Sequence, residues 1–478
     1  MRKKFLINII FLIGLNLLIK PFWILGIDRE IQKIVGNEEY GLYFALFGFT
    51  FIFQILLDLG ITNYNNQSIA KNHNFLADNF AKLGGLKFGL AGVYLIITIL
   101  ASYTMGYSEK AVHLLYFLAF NQLLLSFILF LRSNISGLQI FWLDSFFSVL
   151  DRLLLIGICS YLILDNSNFQ IEWLAYSQAT AYGITFLICL SVVIFKAKSF
   201  FKIPSINFIK GILIKSFPFA VIVFFMTMYY RADAVMIERL LPDGEYKAGL
   251  YAQGYRFFDL LNNFVYLFTG ILFPLLTKEI SIGKSIGQLV TFVIKFLSVS
   301  FLFVIGVSLF ITPEIIEISY SEINRDSSTV LTILLITFIP MVFSSIYGTV
   351  VTAGNKLKEM IICSGIAFGT NIILNFMLIP IYGIIGAAIA SFIAQLIMAI
   401  GCYIIAGKSF DTYINMKNWI MLIAPIIITM CGISYFQNSL NSIQIISILI
   451  TFSVFLLLLF FYKSYNEFKV IQNLTSSK

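Results

Sequence analysis

The sequence predicts an all-α integral membrane protein of about 14 transmembrane helices, and three observations predict it. Of the 478 residues, 59% are hydrophobic and 12% charged, whereas soluble domains carry about 25% charged residues; the mean hydropathy is +0.91. Apolar runs of roughly 20 residues recur from Phe5 to Tyr462, each long enough to cross a hydrocarbon core of about 30 Å as a helix. The alternating runs of about ten residues that mark an outer-membrane barrel do not occur. Helices satisfy their own backbone groups in lipid, so the class is polytopic and helical.

The first run, 5–23, follows Arg2, Lys3 and Lys4. It lacks a small-residue cleavage site and runs longer than a signal peptide, so it reads as a helix. Further spans are expected at 40–59, 86–105, 111–131, 146–164, 173–195, 212–236, 250–276, 286–312, 329–351, 360–379, 383–406, 419–436 and 443–462. Alternate connections differ in charge. One set carries Lys71, Lys82, Lys196, Lys198, Lys202, Lys210, Lys278, Lys284, Lys356, Lys358, Lys408 and Lys417, and the other is acidic, with Asp28, Glu38, Glu39, Asp165, Glu172, Asp243, Glu245, Glu314 and Glu317 among its residues. The positive-inside rule assigns the basic set and both termini to the cytoplasm and the protein to the cell inner membrane. The formal charge of +8 is thus a matter of topology, and no nucleic-acid partner is expected.

The chain echoes itself. EEYGLYFALFGF (38–49) opens the second span as EYKAGLYAQGYRF (245–257) opens the eighth, and LAYSQATAYG (174–183) in the sixth matches IGAAIASFIAQ (385–395) in the twelfth. Two copies of six helices follow: 1–210 as an N-lobe, 211–408 as a C-lobe, and 409–478 as a terminal helix pair with a cytoplasmic tail. Six helices return the chain to its starting side, so the copies are parallel, an arrangement that encloses a central site worked by alternating access.

Charges inside spans are costly and point to cavities. In the eighth span Arg256, Asp259 and Asn263 fall at i, i+3 and i+7, one face of a helix. They form either a cavity wall offering a guanidinium to an anion or a pair neutralised between helices. Arg231 and Asp233 stand near the outer end of the seventh span, two residues apart and so in different directions. Lys20 precedes Pro21, which should kink the first helix, with Asn16 a turn earlier; Lys20 either lines a vestibule or snorkels. Gln54 and Asp58, at i and i+4 by the inner end of the second span, suit a gate, as does Pro21. Lys295, Asp151 and Arg152 lie close enough to the inner face to snorkel. The five cysteines and two histidines make no metal-ligand spacing, so neither a metal nor another cofactor is expected.

These residues carry a family resemblance. The stretch 230–257, YRADAVMIERLLPDGEYKAGLYAQGYRF, resembles the polysaccharide-exporter branch of the multidrug/oligosaccharidyl-lipid/polysaccharide superfamily, which includes O-antigen and capsule repeat-unit flippases. So do 353–395, AGNKLKEMIICSGIAFGTNIILNFMLIPIYGIIGAAIASFIAQ, and 38–67, EEYGLYFALFGFTFIFQILLDLGITNYNNQ. The resemblance implies a V-shaped pair of six-helix lobes that flips an undecaprenyl-diphosphate-linked oligosaccharide, with a cationic cavity for the diphosphate. It implies cavity roles for Arg231, Asp233 and Arg256, whose first-copy counterpart is Gly48. The expected partners are the lipid-linked oligosaccharide, membrane lipids and other polysaccharide assembly proteins. A lipid II flippase and a multidrug/cation antiporter share the expected fold, although the first span lacks the acid that cation coupling calls for. A membrane polymerase or glycosyltransferase is the reading from a different class, and it normally needs a larger loop than any found here; the expectation is a transporter and not an enzyme.

Overall fold

A computed structural model of the chain describes residues 14, 16, 18–138, 140–165, 169–198, 202–321, 324–414, 424, 427–435, 441–442 and 444–455. Among these, every regular element is a helix. Nine helices are long and apolar enough to cross a membrane, and eleven spans result if two bent pairs count as one span each. These eleven answer one for one to the expected spans two to twelve. The first expected span and the last two fall partly outside the described residues.

Beyond Pro21 the chain winds as a π-helix, α1 (Phe22–Asp28), and continues as α2 (Arg29–Val35). A π-turn is a usual accommodation where a proline removes a backbone donor, so the expected kink takes the form of a change in winding. The second span is broken into α3 (Asn37–Ile52), α4 (Ile55–Asp58) and α5 (Ile61–Lys71), with a bend of 42°. The stretch TNYNNQ, expected as a polar mouth, is helical. There follow α6 (Asn74–Thr104), α7 (Glu109–Gly137), α8 (Phe141–Asp165), α9 (Ile171–Ala197), α10 (Ile206–Leu240) and α11 (Gly244–Ser281). The remainder are α12 (Gly287–Phe310), α13 (Thr312–Tyr320), α14 (Arg325–Ala353), α15 (Leu357–Tyr382) and α16 (Ile384–Phe410).

Several helices start earlier than their apolar runs because polar first turns are capped. Ser108, Ser205 and Asn324 accept from the backbone N–H groups of Ala111, Phe208 and Ser327, the usual way of satisfying free donors at a helix start. α6 begins twelve residues before the expected span, and that extension is packed: Phe80, Leu83 and Leu86 join Phe130, Phe147 and Val193 in one core cluster.

Clustering divides the chain into two compact units, Met1–Ala252 and Gln253–Lys478. In the first, α7 is central, packed by α9, α5, α3 and α8, while α10 lies along α3 and α5. In the second, α14 packs α16 and α12, and α15 packs α16. The contact face of α16 is a run of fully buried small residues, Ala387, Ala388, Ala390, Ala394 and Cys402, the pattern that lets helix backbones approach in a membrane. The expected fourth and sixth spans are neighbours (α7, α9), as are the tenth and twelfth (α14, α16).

The echoed glycines meet each other. A Cβ on Gly41 would collide with the Glu245 carbonyl and the Gly249 nitrogen, and one on Gly249 would collide with the Asn37 carbonyl. Asn37 precedes Gly41 by four residues as Glu245 precedes Gly249, so the contact is reciprocal between the opening turns of α3 and α11. Gln32 bridges it, donating to the Gly249 carbonyl at 2.9 Å and to Asn37 Oδ1 at 3.1 Å. Gly41→Val or Gly249→Val should cost about 3 kcal/mol or more by overpacking. Gly157→Ala, with open space around it, should be neutral or slightly stabilising. Thermal unfolding of purified variants checks both, and the idea fails if all three melt together.

Candidate functional site

The polar residues of the first unit form a connected seam among apolar helices. Its charged end involves α7, α8, α9 and the residues before α1. Arg132 on α7 donates through Nε to Asp144 Oδ1 of α8 at 2.9 Å. Arg152, farther along α8, donates to the Tyr182 hydroxyl of α9 at 3.0 Å and stands beside Asp151 at 4.0 Å, with its guanidinium over the rings of Trp23 and Tyr182 at 5.9 and 5.8 Å. Lys20 feels the charges of Arg152, Arg132 and Asp151, and Asn16, one turn before it, donates to Ser148 at 3.2 Å. Three cations and two carboxylates therefore share this end.

Depth distinguishes Arg152 from an interfacial cation. It is eleven residues into α8, ~16 Å from the helix start, because α8 begins five residues before the expected span. The expectation that Asp151 and Arg152 lie near enough to the face to snorkel does not hold for that helix. The Arg132 and Asp144 pair lies nearer the helix ends, five residues before the end of α7 and three into α8. The side chain of Arg152 is 26% exposed; a charge this deep, open to that extent, calls for water beside it and not hydrocarbon.

The seam continues through neutral groups. Gln178 donates to the Tyr43 hydroxyl at 2.7 Å, Asn121 donates to Gln178 at 3.3 Å, and Tyr40 donates to the buried Asp28 carboxylate at 3.0 Å. Sequence reasoning missed Arg132, Tyr182, Tyr43 and Gln178, although Tyr182 and Gln178 stand in the echoed segment of the sixth span. In the second unit Gln395 has its own buried partner, donating to Ser344 Oγ at 2.6 Å, four residues beyond Pro340, through which α14 runs without interruption.

The expected site residues divide. Arg231 lies over Phe47 and Phe51 of α3 at 5.7 and 5.1 Å, while Asp233, 1% exposed, accepts from the Tyr251 hydroxyl of α11 at 2.8 Å. Their two-residue spacing does send them to different neighbours. Arg256, Asp259 and Asn263 follow on α11 in the second unit, all half-buried, with Asn263 donating to the Asp259 carbonyl at 2.8 Å. Arg256 is twelve residues into α11, ~18 Å from its start, deeper than the ~10 Å that the expected span implied. Gln54 lies in the turn between α3 and α4. Asp58 ends α4, at the break of the second span rather than at its inner end, and it pairs with Lys87 of α6 at 2.7 Å. Lys87 was overlooked because the expected third span began at Leu86.

A second polar cluster lies at the other end of the first unit. Arg239 pairs with Glu238 at 2.8 Å, donates to the Met105 carbonyl at 3.0 Å and covers the Tyr107 ring at 3.6 Å. Tyr107 donates to Glu238 at 3.3 Å, and burial together with that carboxylate pushes its phenol up to about 12. Lys110 pairs with Glu39 close by. Among the described residues no group of three His, Cys, Asp or Glu side chains could hold a metal ion.

Among the described residues, up to eleven helical spans with a charged seam inside the first unit define a multi-pass membrane protein. A family profile described as polysaccharide biosynthesis protein matches residues 5–280, more than half of the chain, and the chain belongs to that family. Comparison with curated proteins by sequence returns no match. Among solved structures, the lipid II flippase MurJ in an inward closed conformation is similar at 17% identity, with a TM-score of 0.71 over 98% of this chain and 99% of that one. A MOP superfamily transporter from Pyrococcus furiosus matches at 15% identity and TM-score 0.61, over 86% of this chain and 96% of its own. A mutant of the Vibrio cholerae MATE transporter VcmN matches at 16% and 0.58, over 86% and 95%. The fold is that of the MOP superfamily transporters, as the sequence led one to expect.

Asp144→Asn should leave Arg132 without its carboxylate at a cost of roughly 2 kcal/mol, less than for a fully buried pair because both groups keep some water. Arg132→Gln in the same chain should recover part of that loss. Additive losses in a double-mutant cycle read by thermal unfolding would refute the pairing.

Proposed function

We propose that the chain is a flippase that moves an undecaprenyl-diphosphate-linked oligosaccharide across the cytoplasmic membrane for surface polysaccharide assembly. The observation that best supports this is the partly exposed cationic cluster Lys20, Arg132 and Arg152, with Arg152 deep in α8. A diphosphate carries charge that hydrocarbon excludes, so its passage needs a wet, cationic lining. Guanidinium groups supply that lining with paired donors matched to phosphate oxygens. In the second unit Arg256 offers a further guanidinium on α11 beside Asp259 and Asn263, and in the first Arg231 and Asp233 add polar groups on α10. Gln54, Asp58 and Pro21 fall at breaks or changes of winding, where gating motion would concentrate.

Alternating access between the two copies, 1–210 and 211–408, requires no covalent step, so the chain is read as a carrier and not an enzyme. Both termini are assigned to the cytoplasm. A lipid II flippase is the second reading, favoured by the likeness to MurJ along nearly the whole of both chains. The family description favours polysaccharide.

Arg152→Ala and Arg256→Ala should each lower surface polysaccharide about tenfold or more at wild-type expression, matching ~1.5–3 kcal/mol for a charge-assisted hydrogen bond. The lysine variants should keep part of the export. Undiminished export in both alanine variants would remove the cationic path from the mechanism. Reporter fusions at Lys202 and Glu317 should report opposite sides of the membrane, and one common side would overturn the orientation.

A further inference from the structure

Lys87, 1% exposed, is the only fully buried lysine or arginine among the described residues. It lies thirteen residues into α6 with seventeen still to follow, ~20 Å from either end, beyond snorkelling reach. Its ammonium donates to Asp58 Oδ1 at 2.7 Å and to Ser126 Oγ of α7 at 2.9 Å, and it stands over the Phe130 ring at 5.6 Å. Asp58 also accepts from the Thr62 backbone N–H at 3.2 Å and from the Thr62 hydroxyl. Oxygens from α4 and α7 thus converge around one positive charge delivered by α6, while Thr62 of α5 orients the carboxylate. That is the donor set of a small monovalent cation site, a carboxylate with a hydroxyl beside an aromatic face.

The site is set into the break of the second span. Leu59 (φ 44°) and Gly60 (φ 77°) are both left-handed, a conformation that a leucine rarely adopts. A Cβ on Gly60 would fall on the Ser216 carbonyl of α10. The break is therefore pressed on one side by α10 and held on the other by the charge pair.

We propose that Asp58, oriented by Thr62, and Ser126 form a monovalent-cation site filled by the chain's own Lys87 ammonium, a tethered ion that pins the left-handed break of the second span at Leu59 and Gly60. A resident cation makes this part of the first unit indifferent to free sodium or potassium. Removal of the lysine leaves the site for a small ammonium ion from solution, and Asp58, whose side chain is 26% exposed, gives that ion a way in. This inference does not depend on the substrate.

The test is thermal unfolding of the purified full chain in methylammonium chloride against choline chloride, choline being too bulky for the site, at equal ionic strength. The wild type should melt alike in both salts. Lys87→Ala should melt on the order of 5 °C or more lower in choline and regain at least half of that in methylammonium. Asp58→Asn/Lys87→Ala should not respond to the change of salt. An unshifted Lys87→Ala in choline, or an equal methylammonium response in the double variant, overturns the proposal. Should Lys87→Ala fail to accumulate, Lys87→Met is compared with Asp58→Asn/Lys87→Met: recovery of folded protein in the charge-free pair supports the site, and no recovery overturns it.

Discussion

The cost of holding charge inside a low-dielectric slab governs where this chain places its polar groups. A lone charge at mid-membrane is expensive, and one partner of a buried pair left alone costs more than the pair contributes. Among the described residues three cations of the first unit accordingly come with carboxylates, hydroxyls or aromatic faces: Lys87 with Asp58 and Ser126, Arg132 with Asp144, Arg152 with Tyr182 and Asp151. What differs among them is water. Lys87 is sealed, whereas Arg132 and Arg152 keep about a quarter of their side chains open. The sealed lysine can hold a backbone break in place through its carboxylate, while the open arginines keep a face to the outside of the packing.

Backbone approach is the second constraint, and it acts through residues without side chains. Gly41, Gly60 and Gly249 each stand where a Cβ would enter a neighbouring carbonyl. Between helices in lipid there is little hydrophobic gain, so close van der Waals contact and hydrogen bonds must hold the bundle. The small-residue face of α16 does for the second unit what the glycine crossing does for the opening of α3 and α11.

The number and order of the described spans were legible in the sequence because hydropathy reads them directly. Helix starts were not, because polar first turns prolong helices beyond their apolar runs. That one error hid the most informative charges: starting α6 at Leu86 left Lys87 at an interface, and starting α8 at 146 left Arg152 within snorkelling distance. The signals were present in Asn72, His73 and Asn74 as a helix opening, and in the spacing of Arg132 and Asp144 around one short turn. The stripe of Arg256, Asp259 and Asn263 was legible because it lies in the middle of an apolar run, where neither boundary error nor partner choice matters. Partners were beyond reach from sequence alone: nothing in local spacing says that Arg152 meets Tyr182, or that Asp233 meets Tyr251.

The inequality of the two copies has a steric cause. By the glycine alignment the counterpart of Arg256 is Gly48, and a Cβ there would lie 3.0 Å from the Arg231 carbonyl and 3.4 Å from a Val235 methyl. α3 and α10 press together at that point, so the first copy has no room for a guanidinium where the second carries one. Its cations must come from other helices, and they do: Lys20 from before α1, Lys87 from α6, Arg132 from α7 and Arg152 from α8. Two halves that are chemically unequal can divide the work of packing and of charge between them. One copy can spend a position on close packing while the other spends it on charge.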